Sequence, residues 1–145
     1  MEISPAKIPD VLIIKAKKHG DHRGFFAETF RADAMKEAGA DVPWVQDNHS
    51  YSAQRNVVRG LHFQRPPTAQ AKLLRVIRGA ILDVAVDIRA KSPTYGRHVA
   101  VELSADNWLQ LYVPSGFAHG FCTLTEDTEV LYKVSTPYAP AAEGA

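Results

Sequence analysis

Apolar and polar residues alternate with a period of two along most of this chain, and helical spacing occurs in one short place. Val11 to Ala16 predicts a first strand, Lys17 to Asp21 the turn after it, and Arg23 to Phe30 a second strand whose apolar content is Phe25, Phe26 and Phe30. Ala32 to Ala38 is the helical piece, stopped by Gly39 as its C-terminal cap, and it is too short to form a layer of a core. From residue 45 onward the pattern predicts strands at roughly 45–52, 57–63, 70–77, 80–88, 98–103, 108–113, 118–124 and 128–135. The separators, among them Arg65-Pro66-Pro67-Thr68, Arg78-Gly79 and Pro114-Ser115-Gly116, are turn chemistry at short and regular spacing. Many short strands without helical layers predict an all-β sandwich or jelly roll.

The phases of the alternation assign faces. Leu82, Val84, Val86 and Ile88 form one apolar set, with Asp83 and Asp87 on the opposite phase. Val99, Val101 and Leu103 form another. Val130, Tyr132 and Val134 form a third, which turns Tyr132 inward. The tail from Ser135 has no strand pattern.

A length of 145 residues suits one domain, and 46% hydrophobic with 23% charged residues is a globular composition. The net charge of +1 supplies no electrostatic case for nucleic acid, so any bound anion must be met by local cations. The single cysteine, Cys122, sits in an apolar run and reads as a buried, inert thiol. The apolar run Val11 to Ile14 is far too short for a signal sequence or a membrane span, and the expected location is the cytoplasm.

The chemistry gathers in two stretches, Val57-Val58-Arg59-Gly60-Leu61-His62-Phe63-Gln64 and Pro114-Ser115-Gly116-Phe117-Ala118-His119-Gly120. Metal-binding cupins offer His-x-His, a downstream Glu and a later His. Here Gln64 stands at the second histidine position and Lys72 where the carboxylate would be, and an ammonium repels a divalent cation. The pattern therefore predicts an oxyanion site instead of a metal site, with a metal-dependent oxygenase as the disfavoured reading. His62, Lys72, His119 and an inward Tyr132 suit proton abstraction beside a carbonyl: an imidazole takes the proton, the lysine faces the enolate oxygen, and a phenol returns a proton. That is the equipment of an epimerase working without a cofactor. Taken singly, His62 also fits a hydrogen-bonded barrel histidine and Tyr132 ordinary core. Arg59 is out of phase with His62, so both enter one pocket only if the strand bulges, and Gly60 is where a bulge fits.

Six blocks carry a resemblance to a known family: residues 20–30 (GDHRGFFAETF), 45–50 (VQDNHS), 57–64 (VVRGLHFQ), 70–76 (QAKLLRV), 113–121 (VPSGFAHGF) and 131–138 (LYKVSTPY). Across about residues 10–144 the chain resembles the dTDP-4-dehydrorhamnose 3,5-epimerases. The resemblance implies a cupin-type jelly roll, no cofactor and no catalytic metal, and a homodimer that uses neither nucleic acid nor membrane. It implies epimerisation of dTDP-4-dehydro-6-deoxy-D-glucose at C3 and C5, with action at a single carbon or a silent dTDP-sugar binding module as alternatives. By resemblance His62 is the base, Tyr132 the acid, and Lys72 lies near the C4 oxygen. Arg23, Glu28, Gln46, Asn48 and Arg59 match positions that hold nucleotide or sugar, as do His119, Tyr138 and Glu143. Arg23 to Glu28 is expected to reach the neighbouring subunit's site. Family chains run some tens of residues further, and that segment carries a carboxylate paired with the base. The chain is thus expected to be one jelly-roll domain over residues 1–145 lacking that segment, with Asp83 a candidate to replace the carboxylate.

Overall fold

The computed structural model describes residues 1–144, and its strands arise where alternating sequence meets turn residues. The first four are β1 (Glu2–Pro5), β2 (Leu12–Lys15), β3 (Lys18–Asp21) and β4 (Gly24–Ala27), followed by α1 (Ala32–Glu37). Then come β5 (Gln46–Ser52), β6 (Val58–Gln64), β7 (Lys72–Arg78), β8 (Ala80–Asp87), β9 (His98–Ser104) and β10 (Leu109–Val113). β11 (Phe117–Thr123), β12 (Thr128–Val134), a single 3-10 turn at Pro140–Ala142 and β13 (Glu143–Gly144) complete the chain.

Two antiparallel sheets face each other as a jelly roll. One runs in the order β1-β2-β10-β7-β12-β5 and the other β13-β6-β11-β8-β9, while β3 and β4 form a separate hairpin. Between the sheets lies a dry core that includes Leu74, Ile81, Leu103, Leu111 and Val130. Each such side chain contributes about 1.5–3 kcal/mol by leaving water. A second cluster forms on the outer face of the larger sheet, where Met35 of α1 packs with Leu12, Ile14, Leu73 and Tyr112. α1 ends as its sequence predicts: Gly39 takes a φ of +102°, and the Gly39 and Ala40 N–H groups donate to Lys36 and Met35 carbonyls at 3.1 and 2.8 Å.

Three expectations need correction. Lys18–Asp21 is a strand, not a turn; it pairs with β4, and the chain reverses at His22-Arg23. The strand expected over 23–30 is limited to Gly24–Ala27 and leaves Phe25 and Phe26 exposed. In β8 the inward phase is the opposite of the apolar one: Asp83 and Asp87 are fully buried with Ile81 and Ala85, while Leu82 is exposed. The acids can point inward because each finds partners there. Asp83 meets His119, and Asp87 accepts from the Arg89 guanidinium at 3.0 and 2.9 Å and from Ser92 and Thr94 hydroxyls at 2.6 and 2.5 Å. The tail also contributes a short strand, β13, that the pattern does not reveal.

Candidate active site

Adjacent strands deliver the expected residues to one end of the sandwich. On the larger sheet Lys72 opposes Val134 and Tyr132 opposes Leu74, so Lys72 and Tyr132 point into the same space from neighbouring strands. Asn48 pairs with Tyr132 on the other side. On the smaller sheet His62 of β6 opposes His119 of β11. Between His119/His62 and Phe121/Arg59 the register slips by one residue, which is the bulge expected at Gly60. Gly60 has a φ of +115°, and its backbone lies so close to β11 that a Cβ would stand 2.7 Å from the Gly120 Cα and the His119 oxygen.

A cavity of about 210 Å³ opens here, and His62, Lys72, Tyr132, Tyr138 and Glu143 line it together with Phe117. Tyr132 and Asn48 also border a separate cavity of about 260 Å³ on the outer face of the larger sheet, lined by Phe30, Leu73 and Lys133. His119, expected in the same pocket, is buried and not among the lining residues, its Nε2 2.5 Å from Asp83 Oδ1. The other Asp83 oxygen is buried without a hydrogen-bond partner among the described residues. Burial lowers the Lys72 ammonium below its ordinary pKa, with the Asp83 and Glu143 carboxylates pulling it back up. A cation so placed is poorly solvated, and it gains most from negative charge that develops on a substrate.

Asp83 meets His119 through Oδ1 and makes no hydrogen bond to His62. The carboxylate beside His62 is Glu143, whose Oε1 lies 2.9 Å from His62 Nδ1. Its Oε2 accepts from the Tyr138 hydroxyl at 2.7 Å, which raises the pKa of that phenol. β13 holds Glu143 in place by pairing it with Gln64 and pairing Gly144 with Phe63. Gln64 does more than occupy a vacant ligand position. Its amide donates to the Thr68 carbonyl at 2.6 Å and accepts from the Ala139 N–H at 2.8 Å, so it ties the tail carrying Tyr138 and Glu143 onto β6. Gln70, which donates to the Thr136 carbonyl at 2.6 Å, is a second anchor of that tail. A glutamine carries no pattern signal of such a role, and sequence reasoning passed over both.

The remaining expected residues stand apart from this cavity. Gln46 donates to Asn48 at 2.8 Å on β5. Arg59 reaches from β6 to β5, donating to Ser52 Oγ at 3.1 Å and the Tyr51 carbonyl at 2.9 Å, and so spans the open edges of the two sheets. Arg23 and Glu28 are not among the lining residues: Arg23 is exposed and paired with Asp21 at 2.6 Å, and Glu28 is 3.7 Å from Arg31. No helix among the described residues is long and apolar enough to cross a membrane.

A family model described as dTDP-4-dehydrorhamnose 3,5-epimerase matches residues 5–145. A protein of that description from Sinorhizobium fredii is 54% identical over 139 residues, covering 96% of this chain and 71% of the relative. One from Salmonella typhimurium is 53% identical over 99% of this chain and 79% of its own length. The crystal structure of dTDP-4-dehydrorhamnose 3,5-epimerase from Bacillus anthracis, with TDP and pyrophosphate bound, superposes with a TM-score of 0.96 at 44% identity over 99% of this chain and 82% of that one. The structure of ChmJ, a 3'-monoepimerase from Streptomyces bikiniensis in complex with dTDP-quinovose, superposes with a TM-score of 0.91 at 38% identity, covering 98% of this chain and 72% of the other. The chain belongs to the dTDP-4-dehydrorhamnose 3,5-epimerase family.

Proposed function

We propose that the protein epimerises dTDP-4-dehydro-6-deoxy-D-glucose at C3 and C5 to dTDP-4-dehydro-L-rhamnose by enolisation next to the C4 ketone, and that it needs no cofactor for this. The observation that carries the reading is the convergence of His62, Lys72 and Tyr132 on one cavity from two opposed sheets. His62 takes the proton from the carbon beside the ketone, the electron pair moves onto the C4 oxygen, and the Lys72 ammonium faces that oxygen. Tyr132 O–H then returns a proton to the carbon from the opposite face, inverting the centre; a proton released from His62 restores the phenol. Tyr138 lines the cavity beside Glu143 and would face the nucleotide end of the substrate.

The working unit is a homodimer in which the β3–β4 hairpin enters the neighbouring subunit's site. Arg23 and Glu28 then have a role that they lack within one chain. The exposed Phe25 and Phe26 of the hairpin, and Val58 and Leu82 on the outer face of the smaller sheet, are apolar surface that a second copy would cover. Sedimentation equilibrium should give twice the 16.0 kDa of the chain. A monomer that turns over substrate would remove the exchange.

The function is tested by incubating the protein with the 4-keto sugar nucleotide in heavy water and following C3 and C5 by NMR. Deuterium at both carbons with formation of the L-rhamno product is expected. Exchange at one carbon would replace this reading with a single-centre epimerase, and none despite dTDP binding would make the protein a binding module.

A further inference from the structure

We propose that Trp108 is a positioning residue: it seats the β3–β4 hairpin on its own subunit, so that the opposite face of the hairpin is presented to the neighbouring subunit's site. This rests on the homodimeric epimerase reading above. β3 and β4 pair with each other and with neither sheet, so the hairpin has no ladder to set its direction. Beyond β4 the chain is tied to the body at Thr29, whose carbonyl accepts from the Gln110 amide at 2.8 Å. What meets the hairpin itself is the Trp108 indole, carried by the turn between β9 and β10. It stands edge to face against Phe25, with ring centroids 5.1 Å apart and an interplanar angle of 86°. The Lys18 ammonium lies 4.7 Å from the Phe25 centroid and 4.8 Å from that of Trp108, bridging the two rings.

The backbone of Trp108 points to the same role. It takes a φ of +60°, where a bulky side chain is costly and glycine or asparagine is usual. The turn imposes this conformation. Asn107 Oδ1 accepts from the Ser104 and Leu109 N–H groups, both at 3.0 Å, and its Nδ2 donates to the Glu102 carbonyl at 2.9 Å. The Asn107 N–H donates to Ser104 Oγ at 2.9 Å. Nothing in this turn calls for an indole, and the aromatic partner of the indole is Phe25 on the hairpin.

The faces of the hairpin divide accordingly. Lys18 pairs with Ala27 and Gly20 with Phe25, which puts Lys18 and Phe25 on the face turned to Trp108. Gly20, with no side chain, leaves room for the Phe25 ring to lean on the indole. His19 pairs with Phe26 on the other face, where Phe26 is 67% exposed. Asp21 shares that face and holds the exposed Arg23 at the tip. One face grips the parent subunit, and the other is free for the partner.

The test compares three variants: Trp108→Asn, which suits the left-handed turn; Phe25→Ala, which removes the other ring; and Trp108→Phe, which keeps an aromatic one. Hydrogen exchange read by mass spectrometry on the intact protein should show residues 18–27 exchanging roughly tenfold faster in the first two variants, with β8 and β11 unchanged. KM and the Kd for dTDP should rise roughly tenfold in both while kcat stays near the wild-type value, and Trp108→Phe should recover most of the loss. Hairpin exchange at the wild-type rate in either of the first two variants would overturn the proposal. So would faster exchange spread equally over β8 and β11, which would mark Trp108 as a general support of the fold. Faster hairpin exchange with unchanged dTDP affinity would also overturn it, since the seat would then serve no site. A wild type that sediments as a monomer or fails to epimerise would instead sink the functional reading. The exchange readout needs no substrate and still decides whether Trp108 seats the hairpin.

Discussion

Replacing Gly60 with alanine should damage stability and turnover together, because the residue that permits the bulge also sets the position of His62, the base of the proposed reaction. The added Cβ would sit 2.7 Å from two backbone atoms of β11, the Gly120 Cα and the His119 oxygen, neither of which can swing away as a side chain tip could. Alanine must also adopt a φ of +115°, a conformation that costs about 1–3 kcal/mol for a residue with a side chain. Forcing the strands apart adds about 1–3 kcal/mol of overpacking. Taking about 4 kcal/mol in all and a denaturant slope of about 2 kcal/mol per molar, the urea midpoint should fall by about 2 M. The clash lies two residues from His62 and at the backbone of its partner His119, so relief of the strain displaces the imidazole. A misplacement of about 1 Å at a reacting group costs on the order of 100-fold in rate. Urea unfolding followed by tryptophan fluorescence and deuterium exchange into the substrate measure the two effects. A variant with an unshifted midpoint would refute the close approach, and one that is destabilised yet turns over normally would refute the link between the bulge and the base.

Two further outcomes follow from buried charge. Burial holds the Lys72 pKa below its ordinary 10.5, so the folded state binds fewer protons than the unfolded one between those values, and the penalty for its charge fades as pH rises through that window. Lys72→Met should therefore be inactive but more stable than the wild type at neutral pH in thermal unfolding, with the gap closing towards pH 10.5; a gap that stays constant with pH would refute this. The Arg89 guanidinium, with the Ser92 and Thr94 hydroxyls, holds Asp87 well below the usual carboxylate range, so its contribution is complete above pH 3.8 and is lost as pH falls towards the lower folded value. Asp87→Asn should cost about 3 kcal/mol at neutral pH, the low end for a buried pair because Arg89 is partly exposed, or roughly 6–12 °C in Tm. The deficit should shrink in acid, and an equal deficit at pH 2 would contradict the assignment.

The jelly roll was legible because its strands are short, their alternation is clean and turn residues separate them; the eight strands expected after residue 44 all form. Legibility failed where a long-range partner decides. Period-two reasoning turns Asp83 and Asp87 outward, since a buried carboxylate is costly until His119 or Arg89 is known to face it. β3 was missed because Lys-His-Gly-Asp has no apolar phase at all and both of its faces are exposed. That His62, Lys72 and Tyr132 share one cavity could be read from the chain, as could the bulge between Arg59 and His62. The contact between Glu143 and His62 could not, because Glu143 reaches His62 only after Gln64 and Gln70 have tied down a tail with no pattern of its own. Arg23 and Glu28 mark the complementary limit: within one chain they pair with Asp21 and Arg31, away from the cavity that His62 and Lys72 line.

The most direct test of the account is His62→Ala in heavy water with the 4-keto sugar nucleotide, read by NMR alongside calorimetric titration with dTDP. The account predicts that deuterium no longer enters at C3 or C5 while the dTDP affinity stays close to that of the wild type. Exchange at the wild-type rate would contradict the assignment of His62 as the base, and loss of dTDP binding in parallel with exchange would show a histidine that supports the fold of the pocket rather than its chemistry.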